Sequence, residues 1–135
     1  MIPWALDGVD PGEDVLELGP GLITDVLRQR TARLTAIEID PRLASSLRER
    51  MRNTNVDTVE ADATAMFFPD GSFSAVLSFT MLHHVPSITL QDRLLAEAWR
   101  VLRPAQSLTF ANSIVTYIQY EYYFGTQHET SEEVR

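Results

Sequence analysis

Apolar residues come in short blocks along this chain, and the spacing inside each block names an element. Val15-Leu16-Glu17-Leu18 is a compact run closed by Gly19-Pro20-Gly21, which predicts a buried strand and a tight turn. Helical spacing follows at once: Leu22, Val26 and Leu27 predict the buried side of a helix from Leu22 to about Gln29. Leu34 to Ile39 predicts a second strand. Asp40-Pro41 then predicts a helix start, with Asp as N-cap and Pro at the first helical position. That helix is expected to reach about Arg52, with Leu43, Leu47 and Met51 inward, and Asn53-Thr54-Asn55 breaks it.

Val56 to Val59 predicts a short third strand, and Phe73 to Phe79 a fourth that is apolar enough to be central. Between them, Pro69-Asp70-Gly71-Ser72 reads as a turn. A helix over Thr89–Leu102 follows, capped by Thr89 and Asp92, with Leu90, Leu94, Leu95, Ala98, Val101 and Leu102 buried; Arg103-Pro104 stops it. Ser107 to Ala111 predicts a fifth strand. Ahead of the first strand, Asp7-Gly8 and Asp10-Pro11-Gly12 are turn signals. Strands alternating with helices call for an α/β fold, a doubly wound, Rossmann-like and mostly parallel sheet with right-handed crossovers. From Asn112 the periodicity fades into an aromatic run, Ile114 to Phe124, and a polar tail. The expected division is a core over 1–112 and an aromatic-rich segment with its tail over 113–135.

Composition narrows the chemistry. With 135 residues, 44% of them hydrophobic, a single packed core is expected. The net charge of −8 argues against a large phosphate-binding surface, so nucleic acid is disfavoured as a partner. There is no cysteine, which excludes disulfides, thiolate catalysis and Cys-ligated zinc. His83 and His84 would point to opposite faces of a strand, and no metal site is expected. No signal peptide or membrane-spanning run is visible, so a soluble cytoplasmic protein is the expectation.

The first strand and its glycine turn offer a nucleotide-like ligand a cradle at the strand's carboxyl end. Gly-x-Gly turns are also plain connectors. Glu17 changes the balance, because an acid at the end of a buried strand is costly unless it meets a cation or N–H donors. Glu38 lies about twenty residues beyond the glycines, where an acid accepts ribose hydroxyls. Asp62, one strand further out, suits an exocyclic purine amine. Each acid also has a purely structural role open to it. Glu17 could pair with an arginine, Glu38 could be a solvent-facing strand end, and Asp62 could cap the next turn.

These segments, in this order, resemble a class I S-adenosylmethionine-dependent methyltransferase of the small-molecule "type 11" group. The likeness runs from about Asp14 to Phe110. It is carried by Val15 to Gly21, Ala36-Ile37-Glu38-Ile39-Asp40-Pro41, Glu60-Ala61-Asp62-Ala63, Phe68 to Phe73, Ser78 to Val85 and Glu97 to Pro104. The resemblance implies S-adenosylmethionine as cofactor. Gly19 and Gly21 would pack against its amino-acid part, and Glu17 would meet its ammonium directly or through water. Glu38 would take the ribose, with Ile39 beside the adenine. Asp62 would accept from the adenine amine, Ala63 would offer a backbone donor, and Ser78 and Phe79 would lie near the methionine moiety. His83 or His84 is a candidate base, or else simply ends the fourth strand.

The resemblance also shows departures. The first loop is short, Ala105-Gln106 replace a glycine pair, and Ser74 stands where an Asp is common. Five of the family's seven strands are recognisable, which suggests a truncated domain or one completed by homodimerisation through an exposed sheet edge or the aromatic segment. The expected function is methyl transfer to a small-molecule or lipid-like acceptor. The alternatives are a non-enzymatic domain that keeps the cofactor site, a nicotinamide oxidoreductase, disfavoured by Glu17, and an rRNA adenine dimethylase, which Ala36 to Asp40 also resembles.

Overall fold

Burial on both faces selects the central strand. The structure, a computed structural model, describes residues 10–19, 24–78 and 86–104. Among these, β1 is Asp14–Leu18, and Val15, Leu16, Glu17 and Leu18 are all buried. A strand flanked by packed layers reads as such a continuous run. It pairs in parallel with β2 (Arg33–Glu38) on one side and with β4 (Ala75–Ser78) on the other. β3 (Val56–Glu60) adds to β2, so the described sheet runs β3-β2-β1-β4, all parallel. Strand order reverses between β1 and β4. In such sheets the crevice beyond the carboxyl ends at that switch point is where ligands bind.

The register fixes which residues share that edge: Leu18 lies opposite Ile37 and Ser78, and Glu38 lies opposite Glu60. β4 starts at Ala75 rather than Phe73, which forms only an isolated parallel bridge with Leu102; Phe79 lies outside the described residues. β2 ends at Glu38, leaving Ile39 beyond the ladder.

Three helices lie among the described residues: α1 (Thr24–Leu27) joins β1 to β2, α2 (Pro41–Arg50) joins β2 to β3, and α3 (Ile88–Val101) follows β4. Asp40 caps α2 as expected, its Oδ1 accepting from the N–H groups of Arg42 (2.8 Å) and Leu43 (3.3 Å), with Pro41 in the first turn. Beyond Met51, Asn53 adopts φ 62° and ends the run. Inward positions in α1 and α2 differ from the sequence expectation. Ala44, not Leu43, lies against the sheet with Leu47 and Met51, and Leu43 is exposed. The inward stripe is thus 44, 47 and 51, and the small Ala44 lets α2 approach β2 and β3 closely. In α1 the buried residues are Thr24 and Leu27, three apart on one face, and Val26 faces outward.

α3 begins earlier than predicted. Ser87, extended at φ −147°, is its N-cap, accepting from Leu90 N–H at 3.2 Å, so Thr89 lies inside the first turn and does not cap it. Gln91 is buried beside Leu94, Ala98 and Val101, whereas Leu90 and Leu95 are only partly covered. The chain leaves α3 at Leu102, where Arg103 N–H donates to Phe73 O (2.9 Å) and the Arg103 guanidinium pairs with Asp14 (2.7 Å). At the same end of β1, the contacts of Ser74 explain its small size. Its hydroxyl donates toward Pro11 O (2.7 Å) and Asp14 O (2.9 Å) and accepts from Asp14 N–H (3.1 Å), packed beneath Gly12. The expected fifth strand at 107–111 and the segment 113–135 lie outside the described residues.

Candidate functional site

The carboxyl edge of the sheet collects the residues singled out from the sequence. Glu17 lies in β1 with Gly19 just past its end, Glu38 ends β2 with Ile39 after it, Asp62 and Ala63 follow β3, and Ser78 ends β4. Gly21, His83 and His84 lie outside the described residues.

Glu17 is fully buried. Its Oε1 accepts from Thr24 Oγ1 at 2.7 Å, whereas Oε2 has no hydrogen-bond partner among the described residues. Arginine pairing does not account for it. The nearby Arg50 guanidinium is engaged by Asp25 Oδ2 at 2.7 Å, a bridge that also joins α2 to α1. Burial therefore dominates and pushes the Glu17 carboxyl up to about 7. The Thr24 hydrogen bond and the Arg50 charge oppose that rise, and Asp25 adds slightly to it. Thr24 is the site residue that periodicity missed. The available signal was a hydroxyl residue in the first helical turn after a glycine loop that follows an acid.

Gly19 takes φ 68° and its N–H donates to Ile37 O at 3.1 Å, which turns the backbone sharply off the end of β1. A side chain is disfavoured in that conformation. On the opposite face of the sheet from Glu17, Ser78 is buried with its Oγ unpartnered. Two buried polar atoms without partners therefore flank the switch point. Unsatisfied groups of this kind are uncommon in native cores and call for an explanation.

Further along the edge, Glu38 Oε2 accepts from Asp40 N–H at 2.9 Å. Ile39 is 60% exposed just past the strand, an apolar surface beside a carboxylate. Asp62 does cap its own turn: its Oδ1 accepts from the N–H (2.8 Å) and hydroxyl (2.7 Å) of Thr64. Ala61 N–H donates to Glu38 O at 3.1 Å, holding the start of this turn against the end of β2, and Ala63 is buried. Such an edge can accept hydrogen bonds from hydroxyls, amines and cations, and it offers one apolar surface. Among the described residues no group of three or more His, Asp or Glu is arranged to hold a metal ion. None of the described helices is long and apolar enough to cross a membrane.

Comparison with known proteins identifies the family and supports the fold. The model of a family described as "Methyltransferase domain" matches residues 16–110, more than half of the chain. A demethylmenaquinone methyltransferase of Tropheryma whipplei is 34% identical over 103 residues, covering 75% of this chain and 42% of that protein. A probable ribosomal RNA small subunit methyltransferase A of Thermococcus onnurineus is 44% identical over 70 residues, covering 50% of this chain and 25% of that protein. The chain thus spans less than half the length of these relatives. Among solved structures, a SAM-dependent methyltransferase of Methanosarcina mazei superposes with a TM-score of 0.69 at 21% identity, covering 77% of this chain and 54% of that one, which supports the fold.

Proposed function

This chain belongs to the class I S-adenosylmethionine-dependent methyltransferase family, and from that premise we propose that its sheet edge binds S-adenosylmethionine for methyl transfer to a small-molecule or lipid-like acceptor. The observation that carries the reading is the buried Glu17 carboxyl with one unpartnered oxygen beside the Gly19 turn. A carboxylate in that position suits an ammonium, whose charge and N–H donors offset the cost of ionising it there. The remaining residues fit the rest of such a cofactor. Gly19 and Gly21 give the backbone close approach, and Glu38 accepts from ribose hydroxyls. Ile39 lies against the adenine, Asp62 and the backbone of Ala63 serve its edge, and Ser78 lies near the methionine moiety. The chemistry supplied there is that of a sulfonium methyl group open to in-line attack, which asks mainly for positioning. Where the acceptor must lose a proton, His83 or His84 is the base.

The acceptor class rests on charge and on the relatives. A net charge of −8 opposes an RNA backbone, and the menaquinone relative aligns over a longer stretch than the rRNA relative. The rRNA reading is the second one, favoured by the higher identity of its shorter alignment. The two separate in one assay. The chain is incubated with methyl-labelled cofactor, demethylmenaquinone and small-subunit rRNA. Label is expected in the organic phase with the quinone; label in the RNA alone would reverse the assignment.

A further inference from the structure

Residues 61–74 carry the chain from β3 to β4 without forming a helix or strand of their own. Crossovers between parallel strands are usually made by a helix. Here the path is set by two anchors. The first is Ala61 N–H on Glu38 O, followed by the turn in which Asp62 Oδ1 holds Thr64 and Ala65 N–H donates to Asp62 O (3.1 Å).

The second anchor comes from α3, at the next residue. Met66 N–H donates to Glu97 Oε1 (2.6 Å), and Met66 O accepts from Arg100 Nη2 (3.1 Å). Arg100 Nη1 also reaches Phe68 O (2.8 Å) and Asp70 Oδ1 (2.7 Å), while its Nε donates to Glu97 Oε2 (2.7 Å). Gly71 N–H donates back to Arg100 O (3.1 Å). One planar guanidinium thus holds two carbonyls and two carboxylates at once, a geometry that a lysine ammonium does not reproduce. The arginine hydrogen bond holds the Glu97 carboxyl below the usual carboxylate range, so the clasp stays ionised near neutral pH.

The turn between the anchors has no sheet partner, and its Asp62 is exposed. Ala63 packs into the core, and beyond that contact the turn's position is set by its two ends. We infer that Glu97 and Arg100 are positioning residues: through Met66 they place Asp62 and Ala63 for the adenine end of the cofactor. This rests on the cofactor reading proposed above. Both belong to the Glu97 to Pro104 motif, which has no other part in the site. Misplacing a contact by about 1 Å from a distance is enough to weaken a site strongly.

A double-mutant cycle tests it. Arg100→Lys, Asp62→Ala and the double variant of the full chain are titrated with S-adenosylmethionine and with adenosine, at a temperature where all are folded. Arg100→Lys is expected to weaken both ligands about tenfold, but in the Asp62→Ala background to change affinity less than about threefold. Equal losses in both backgrounds would overturn the inference, as would unchanged affinity with a lowered thermal midpoint. If Arg100→Lys does not fold, Glu97→Gln takes its place in the cycle with the same expected and overturning results. Absence of binding by the unaltered chain would instead overturn the cofactor reading, and the inference with it.

Discussion

Glu17→Gln is expected to remove a large part of the pH dependence of this protein's stability. Burial disfavours the charge of this carboxyl and pushes its pKa up to about 7 in the folded state, from the ordinary 4.5. Between these values the folded state keeps a proton that the unfolded chain has released. The stabilisation from Glu17 is complete below about 4.5 and is lost as the pH rises through about 7. The gap corresponds to roughly 3 kcal/mol. Glutamine keeps the acceptor for Thr24 and has no charge to bury. The difference in unfolding free energy between parent and variant should therefore swing by about that amount from pH 4 to pH 8, in the variant's favour at the alkaline end. Denaturant midpoints across that range measure it, and parallel curves would show that Glu17 does not titrate as described. In the proposed complex, a cofactor ammonium would meet the carboxylate that is costly to ionise in the free protein.

The second large effect is at Gly12. Its φ is 85°, a region that side chains enter at a cost of about 1 kcal/mol or more. A Cβ there would also stand 2.6 Å from Ser74 Oγ and 2.7 Å from Ser74 Cβ. Ser74 cannot yield easily, since its hydroxyl joins Pro11, Asp14 and the start of β4. Gly12→Ala is expected to cost about 2–4 kcal/mol. Gly71 supplies the contrast. It has φ 66°, but the nearest atoms to its would-be Cβ are 3.9 Å away, so Gly71→Ala carries the backbone term alone, roughly 1 kcal/mol. Equal losses at the two positions in urea unfolding would contradict the steric argument.

Local signals made the sheet legible. Val15 to Leu18 reads as a strand because both faces are buried, and Asp40-Pro41 reads as a helix start because cap and proline act within three residues. The inward faces were less so: Leu43 has the right spacing, yet the helix turns Ala44 to the sheet, and only packing decides between neighbours on a helix. The cap of α3 lies two residues before the one the sequence suggests, because Ser87 and Thr89 carry the same hydroxyl signal and Ser87 is the one that is extended. The acids at the strand ends were visible as a pattern. What holds them was not. Thr24 reaches Glu17 across the glycine turn, and Arg100 reaches Met66 across more than thirty residues; such contacts leave no periodic trace in a sequence.

The measurement that bears most directly on the account is calorimetric titration of S-adenosylmethionine and S-adenosylhomocysteine into the chain and into its Glu38→Ala variant. Hydrogen bonds to a charged group are worth about 1.5–3 kcal/mol. Saturable binding of both compounds is therefore expected, weakened roughly 10- to 100-fold by the substitution while the variant stays folded. A folded chain that binds neither compound, or a Glu38→Ala variant that binds as tightly as its parent, would contradict the assignment of this sheet edge as the cofactor site.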